Sequence, residues 1–313
     1  GLDGYVITDG YSCAPASSDG YSVGGPGSLI LPPIGPGPGP GVINTLLSDN
    51  SRIFYVPNPY ADTNLTGLTL TGGRTGGYGY GPGDPQYAGG AIKSRGDLTI
   101  ADSYLAGNST GGDYAAGGAV FAFRDLTVTN STFDQNSTIG QASGGGAIFG
   151  QGSVDIGDSV LNNNETFGQY SSGGALRAES SLIITDSKIH NNNADQFGSS
   201  GGGIFGSDNI TIVGSDVYSN GAHGDLSSGG GGVAASSSSS TLTITGSTIT
   251  DNQALGVYAG GGGVYARGDL NVVDSTISGN ATYGDDGRGG GINSAGTTLI
   301  TGSTVSENAT FGQ

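Results

Sequence analysis

The chain has 313 residues and a net charge of −17, with nine Lys and Arg in total. Its 65 glycines, with neither Met nor Trp and 11% charged residues, exclude a helical bundle, because glycine and β-branched residues weaken helices. Without a basic footprint, nucleic acid and electrostatic docking on an anionic membrane are excluded as partners, and no apolar run approaches the roughly 18 residues of a membrane span.

Residues 1–42 read as a Gly/Pro/Tyr-rich extended arm. Asp-Gly-Tyr recurs at 3–5, 9–11 and 19–21, and glycine alternates with proline from 35 to 41. Such composition without a period implies an arm or linker, either a free tail or a docked segment carrying Tyr5 and Tyr11. Cys13 has no second cysteine to pair with, so an internal disulfide is excluded, and cross-linking between copies is the lesser use for it. The chain starts at Gly1 and shows no signal peptide, which reads as a processed protein or an excerpt from a longer one.

Residues 43–313 predict a solenoid, with irregular first coils over 43–88 and regular repeats over 89–313. The motif Ser-x-apolar-x-x-Asn occurs eight times, from Ser103 to Ser303. Its asparagines are Asn108, Asn136, Asn164, Asn192, Asn220, Asn252, Asn280 and Asn308, spaced by 28 except for one step of 32 before Asn252. Each unit carries three strand signals. One follows the glycines (Ile92, Val120, Ile148), one is an alternating run such as Leu98-Thr-Ile100, and one is the Ser-x-apolar piece with Leu105, Phe133, Leu161, Ile189 and Val217. Period-two alternation puts one face in and one out, with Gly, Asp and Asn at the corners.

Three short strands per 28 residues suit one coil of an all-β parallel β-helix, about eight coils in all. Stacked at about 4.8 Å per coil, these make a rod roughly 40 Å long. A leucine-rich horseshoe would need a shorter, leucine-framed repeat, and a propeller blade a fourth strand. The asparagines are expected to fill a corner as a ladder of stacked amides, and glycines admit tight backbone at the next corner. Ile139, Phe167, Leu255, Tyr283 and Phe311, each before a glycine, predict a partly covered stripe.

Gly145-Gly146-Ala147-Ile148, together with Phe133-Asp-Gln-Asn136, resembles the repeats of chlamydial polymorphic outer-membrane proteins. Leu, Ile or Val in place of Phe elsewhere is similar to the broader pectin-lyase-like group of bacterial surface β-helix proteins. "SRIFYV" at 51–56 and "NLTGLTLTGGRT" at 64–75 are similar to the first coils of that group. The resemblance covers about residues 44–313. It implies a single-stranded right-handed parallel β-helix, and a bacterial, extracellular or cell-surface location.

Candidate sites are few. His190 and His223 are the two histidines; His190 falls where other repeats have Asp134, Asn162 and Tyr218, and His223 is expected in a loop. Neither has a predicted base-and-orienter arrangement for catalysis. Asp102, Asp158, Asp186 and Asp274 share the position before the repeat serine. Turn closure explains them, and stacked acids holding Ca²⁺ are the weaker alternative. Arg95-Gly96-Asp97 and Arg267-Gly268-Asp269 spell an integrin tripeptide at positions where a polar turn is needed anyway. Sequons at Asn108, Asn136, Asn164, Asn280 and Asn308 coincide with the corner column, whereas those at Asn64 and Asn209 do not.

No cofactor is expected. The favoured function is a non-enzymatic structural subunit that joins copies of itself head to tail through Leu299, Val305, Phe311, Tyr5 and Tyr11. The passenger region of an adhesin that binds a host or matrix surface is the alternative. A polysaccharide-degrading enzyme comes third.

Overall fold

The repeats form strands because each holds β-branched or leucine residues at alternate positions between glycine, asparagine and aspartate corners. In the computed structural model, residues 52–76, 87–224 and 229–312 are described, together with the backbone of Tyr21–Ser22, Leu29–Ile30 and Gly41–Asn44. The described residues contain strands and no helix, so no helix is long and apolar enough to cross a membrane. The expectations for Tyr5, Tyr11 and Cys13 lie outside the described residues.

Every strand pairing is parallel, and each strand pairs with its counterparts one coil before and after it. Four sheets result, three of ten strands and one of nine. In one coil the first sheet takes Ile92–Ser94, the second Leu98–Ala101, the third Tyr104–Ala106 and the fourth Ser109–Thr110. The chain is an all-β parallel solenoid of about eight regular coils. Sequence reasoning expected three strands per coil. The fourth escaped because it is two or three residues long and buries one small residue, such as Thr110, Thr138 or Ala194. A piece so short carries no alternation to detect.

The core runs along the rod axis. Leu105, Phe133, Leu161, Ile189 and Val217 stand in register and are fully buried as one column. Ile92, Val120 and Ile148 form another, and Ile100, Val128 and Ile156 a third. Each such side chain contributes about 1.5–3 kcal/mol through burial, and most of the covering surface belongs to the coils on either side.

The stretch expected as an arm contributes three strands to this stack. Tyr21 pairs with Phe54, Leu29 with Thr63 and Ile43 with Leu70, each parallel. The strand Gly41–Asn44 runs across the expected boundary between 42 and 43.

Candidate functional site

Corners come first, because they position everything outside the core. The residue before each ladder asparagine takes a left-handed conformation, as in Gln135 (φ 54°), Asn163 (55°) and Asn191 (56°). That turn aims the following side chain inward. Asn136 Nδ2 donates to Leu105 O and to Asn164 Oδ1, both at 3.0 Å, while the Asn136 N–H donates to the same Oδ1. The pattern repeats from Asn108 to Asn308, across the 32-residue step as well. All but the last of these eight asparagines are buried, so their sequons are inaccessible in the folded chain.

A second polar ladder, which sequence reasoning missed, runs along the neighbouring corner, just before the third-sheet strands. The N–H of Ser103 donates to Ser131 Oγ at 3.1 Å, and that hydroxyl donates to Thr129 O at 2.7 Å. Ser159, Ser187, Ser215, Ser247, Ser275 and Ser303 continue the series. The repeat motif itself held the signal, since the serine recurs as strictly as the asparagine.

Asp102, Asp158, Asp186 and Asp274 lie at the turn between the second and third sheets with φ of 48–50°, and Asn130 takes φ 44° there. Asn130 Nδ2 donates to Asp102 Oδ1 at 2.7 Å. Asn and Asp tolerate this left-handed region better than other non-glycine residues. Among the described residues, no group of three or more His, Cys, Asp or Glu side chains is placed to hold a metal ion. In the two Arg-Gly-Asp segments, the glycines are required by close approach. A Cβ on Gly96 would meet Ala61 O at 2.0 Å, and one on Gly268 would meet Ser240 O at 2.0 Å. Asp97 accepts from Arg124 Nε at 3.0 Å, and Asp269 accepts from the Thr297 N–H at 2.8 Å.

The outer face of the fourth sheet brings together three titratable groups. His223 ends the strand Gly221–His223, a correction to its expected loop position, and stands in register between Asp195 and Leu255. Its Nδ1 lies 2.8 Å from Asp195 Oδ1, an orienting contact that the sequence did not predict. Glu165 adjoins the pair. Burial and its hydrogen bond to Asp195 push the Glu165 carboxyl up to about 7. The hydrogen bond from His223 holds Asp195 below the usual carboxylate range. Asp195 and His223 therefore interrupt the predicted apolar stripe. Ile139 and Phe167 stand before them, half exposed, and Tyr283 stacks on Phe311 after them, with ring centroids 4.9 Å apart. On the third sheet, His190 stacks on Tyr218 at 4.7 Å, and burial, then Lys188, lowers its pKa.

The outer face of the first sheet carries a column of rings and cations. In register along the rod stand Tyr55, Lys93, Phe121, Phe149, Arg177, Phe205, Ala234, Tyr265 and Asn293. Phe121 and Phe149 stack at 5.1 Å and are buried under Ala88 and Ala116. The Arg177 guanidinium lies 5.4 Å from the rings of both Phe149 and Phe205, and it also pairs with Glu179 at 2.7 Å. Further along, a trough of about 410 Å³ opens between Tyr258, Tyr265, Arg288, Asn293 and Ser200. The glycine-rich corners gave no hint of this column, because its members come from separate coils.

Parallel coils that close four sheets around one aliphatic core define a parallel β-helix protein. The family model described as right-handed beta helix region matches residues 84–311, and the chain belongs to that family. Comparison with curated proteins gives no match, and comparison with solved structures gives none.

Proposed function

We propose that this protein is a non-enzymatic structural element of a bacterial cell surface or extracellular layer, a β-helical rod that joins other copies of itself end to end. The observation that carries this reading is the uninterrupted run of like coils, every pairing parallel, with one amide ladder from Asn108 to Asn308 and one hydroxyl ladder from Ser103 to Ser303 inside it. Such coils stack on their own kind, and a contact between unlike ends of a rod propagates into a filament unless rotation closes a ring. The resemblance to polymorphic outer-membrane and pectin-lyase-like repeats supports the surface location. Leu299 and Phe311, 55% and 53% exposed, would flank the contact.

The Glu165–Asp195–His223 cluster is the arrangement closest to acid–base machinery. Its one close contact is His223 Nδ1 to Asp195 Oδ1 at 2.8 Å on the outer face of the fourth sheet, and the trough lies on a different sheet.

Sedimentation velocity and electron microscopy of residues 1–313 test the reading over a concentration series. Rods lengthening with concentration, and shortening when Val305→Glu is introduced, are expected. Monodisperse monomers at high concentration would overturn it. So would release of unsaturated or reducing sugar from an acidic polysaccharide.

A further inference from the structure

The trough on the first sheet changes character along the rod. Near Phe121 and Phe149 it is filled by the chain's own rings, with Arg177 laid over the last of them. Farther on the filling side chains shrink to Ala234, Gly229 and Gly260, and the space opens. Small residues keep it open. A Cβ on Gly229 would lie 2.9 Å from the Tyr265 ring, and one on Gly260 would lie 2.1 Å from Asn293 Nδ2. Tyr265 supplies a ring on the strand and Tyr258, 54% exposed, a second ring beside it. The Arg288 side chain makes no ion pair or hydrogen bond with any described residue. The open half thus offers a flat ring an aromatic seat and offers a carboxylate a guanidinium.

We propose that the trough is a docking site for residues 1–20 of a second copy, with an Asp-Gly-Tyr segment as its occupant. That segment holds Asp3, Asp9 and Asp19 without any Lys or Arg, and Tyr5 and Tyr11 each stand two residues after an aspartate. Ring and carboxylate match the seat by chemistry, as the chain's own phenylalanines and Arg177 already do one stretch away. Supply of the segment by a second copy rests on the end-to-end reading above, and twenty residues reach up to about 66 Å when extended.

A fluorescent peptide of residues 1–20 titrated into the full chain tests the site, at protein concentrations low enough to avoid self-association. Saturable binding that weakens about tenfold or more with Arg288→Glu, and likewise when Tyr5 and Tyr11 of the peptide become Ala, is expected. Both rod variants Arg288→Glu and Tyr265→Ala are to be checked for unchanged circular dichroism. Absent binding, or binding indifferent to Arg288→Glu, overturns the proposal. Sedimentation of the same proteins separates the two ideas. If wild type and Arg288→Glu assemble alike, the docking proposal falls and the end-to-end reading stands. If wild type stays monomeric while the peptide binds, the end-to-end reading falls, and with it the supply of the segment by a second copy.

Discussion

Each interior ladder asparagine spends its whole amide on its neighbours: Oδ1 accepts twice and Nδ2 donates twice, within a site closed to water. Replacing Asn164 by Leu removes the acceptor of the Asn136 N–H and Nδ2, and leaves Phe133 O without its donor. An orphaned buried group costs about 1–3 kcal/mol, so a loss of at least that size in urea unfolding is expected. The same burial predicts that mass spectrometry of chain secreted from a glycosylating host finds Asn136, Asn164 and Asn280 unmodified. Glu165 gives a pH dependence. Its folded carboxyl holds a proton up to about pH 7, above its ordinary value of 4.5, so this contribution to stability is full below 4.5 and fades as pH rises through 7. Asp195 acts oppositely, and its share fades as pH falls through its depressed value. Thermal midpoints of wild type should therefore drop from pH 5.5 to 8, and Glu165→Gln should flatten that drop.

At the scale of one coil, corners decide the geometry. Gly146 lies where an added Cβ would meet Gly174 O at 2.1 Å and the Glu165 backbone at 2.6 Å, whereas a Cβ on Gly157 meets nothing within 4 Å. Gly146→Ala should cost about 1–3 kcal/mol or more by overpacking, because backbone of the next coil cannot move aside. Gly157→Ala should leave the unfolding midpoint nearly unchanged. Chemical denaturation of the two variants side by side checks both expectations. The contrast shows why a glycine count says little: two glycines of one repeat differ because only one faces a neighbouring coil.

Across the whole molecule, each coil touches mainly the coil before and the coil after it, so stability is close to a sum of nearest-neighbour terms. Leu161→Ala, at a fully buried position between Phe133 and Ile189, should cost about 2–5 kcal/mol. Hydrogen exchange should then accelerate in the coils around residues 133–189, and change little near Ile249 and Ile277. Uniform acceleration along the rod would show instead that the solenoid opens as a single cooperative unit.

Much of the coil was legible in the sequence. Repetition of Ser-x-apolar-x-x-Asn at 28 residues announces one supersecondary unit copied along an axis, and alternation about Leu98, Leu126 and Leu242 announces strands with one buried face. Those signals are local or periodic, so they survive in a one-dimensional record, and they carry the fold class and the core columns. The fourth strand was too short to alternate, and the serine hydroxyls gain their partners only when a second coil lies beside them. His223 meets Asp195 because they are 28 residues apart and one coil apart, and Tyr265 and Arg288 come to line one trough from different coils. Repeat position marks which side chains share a column, and with it which positions face the core. Which outward groups touch, and whether a Gly or a Phe fills the space above them, depends on loop paths and on three-dimensional packing between coils. The sequence by itself thus determined the solenoid and its period; the trough and the carboxyl–imidazole cluster were decided by tertiary structure, where side chains of unlike repeats are pressed against one another at the spacing of a strand.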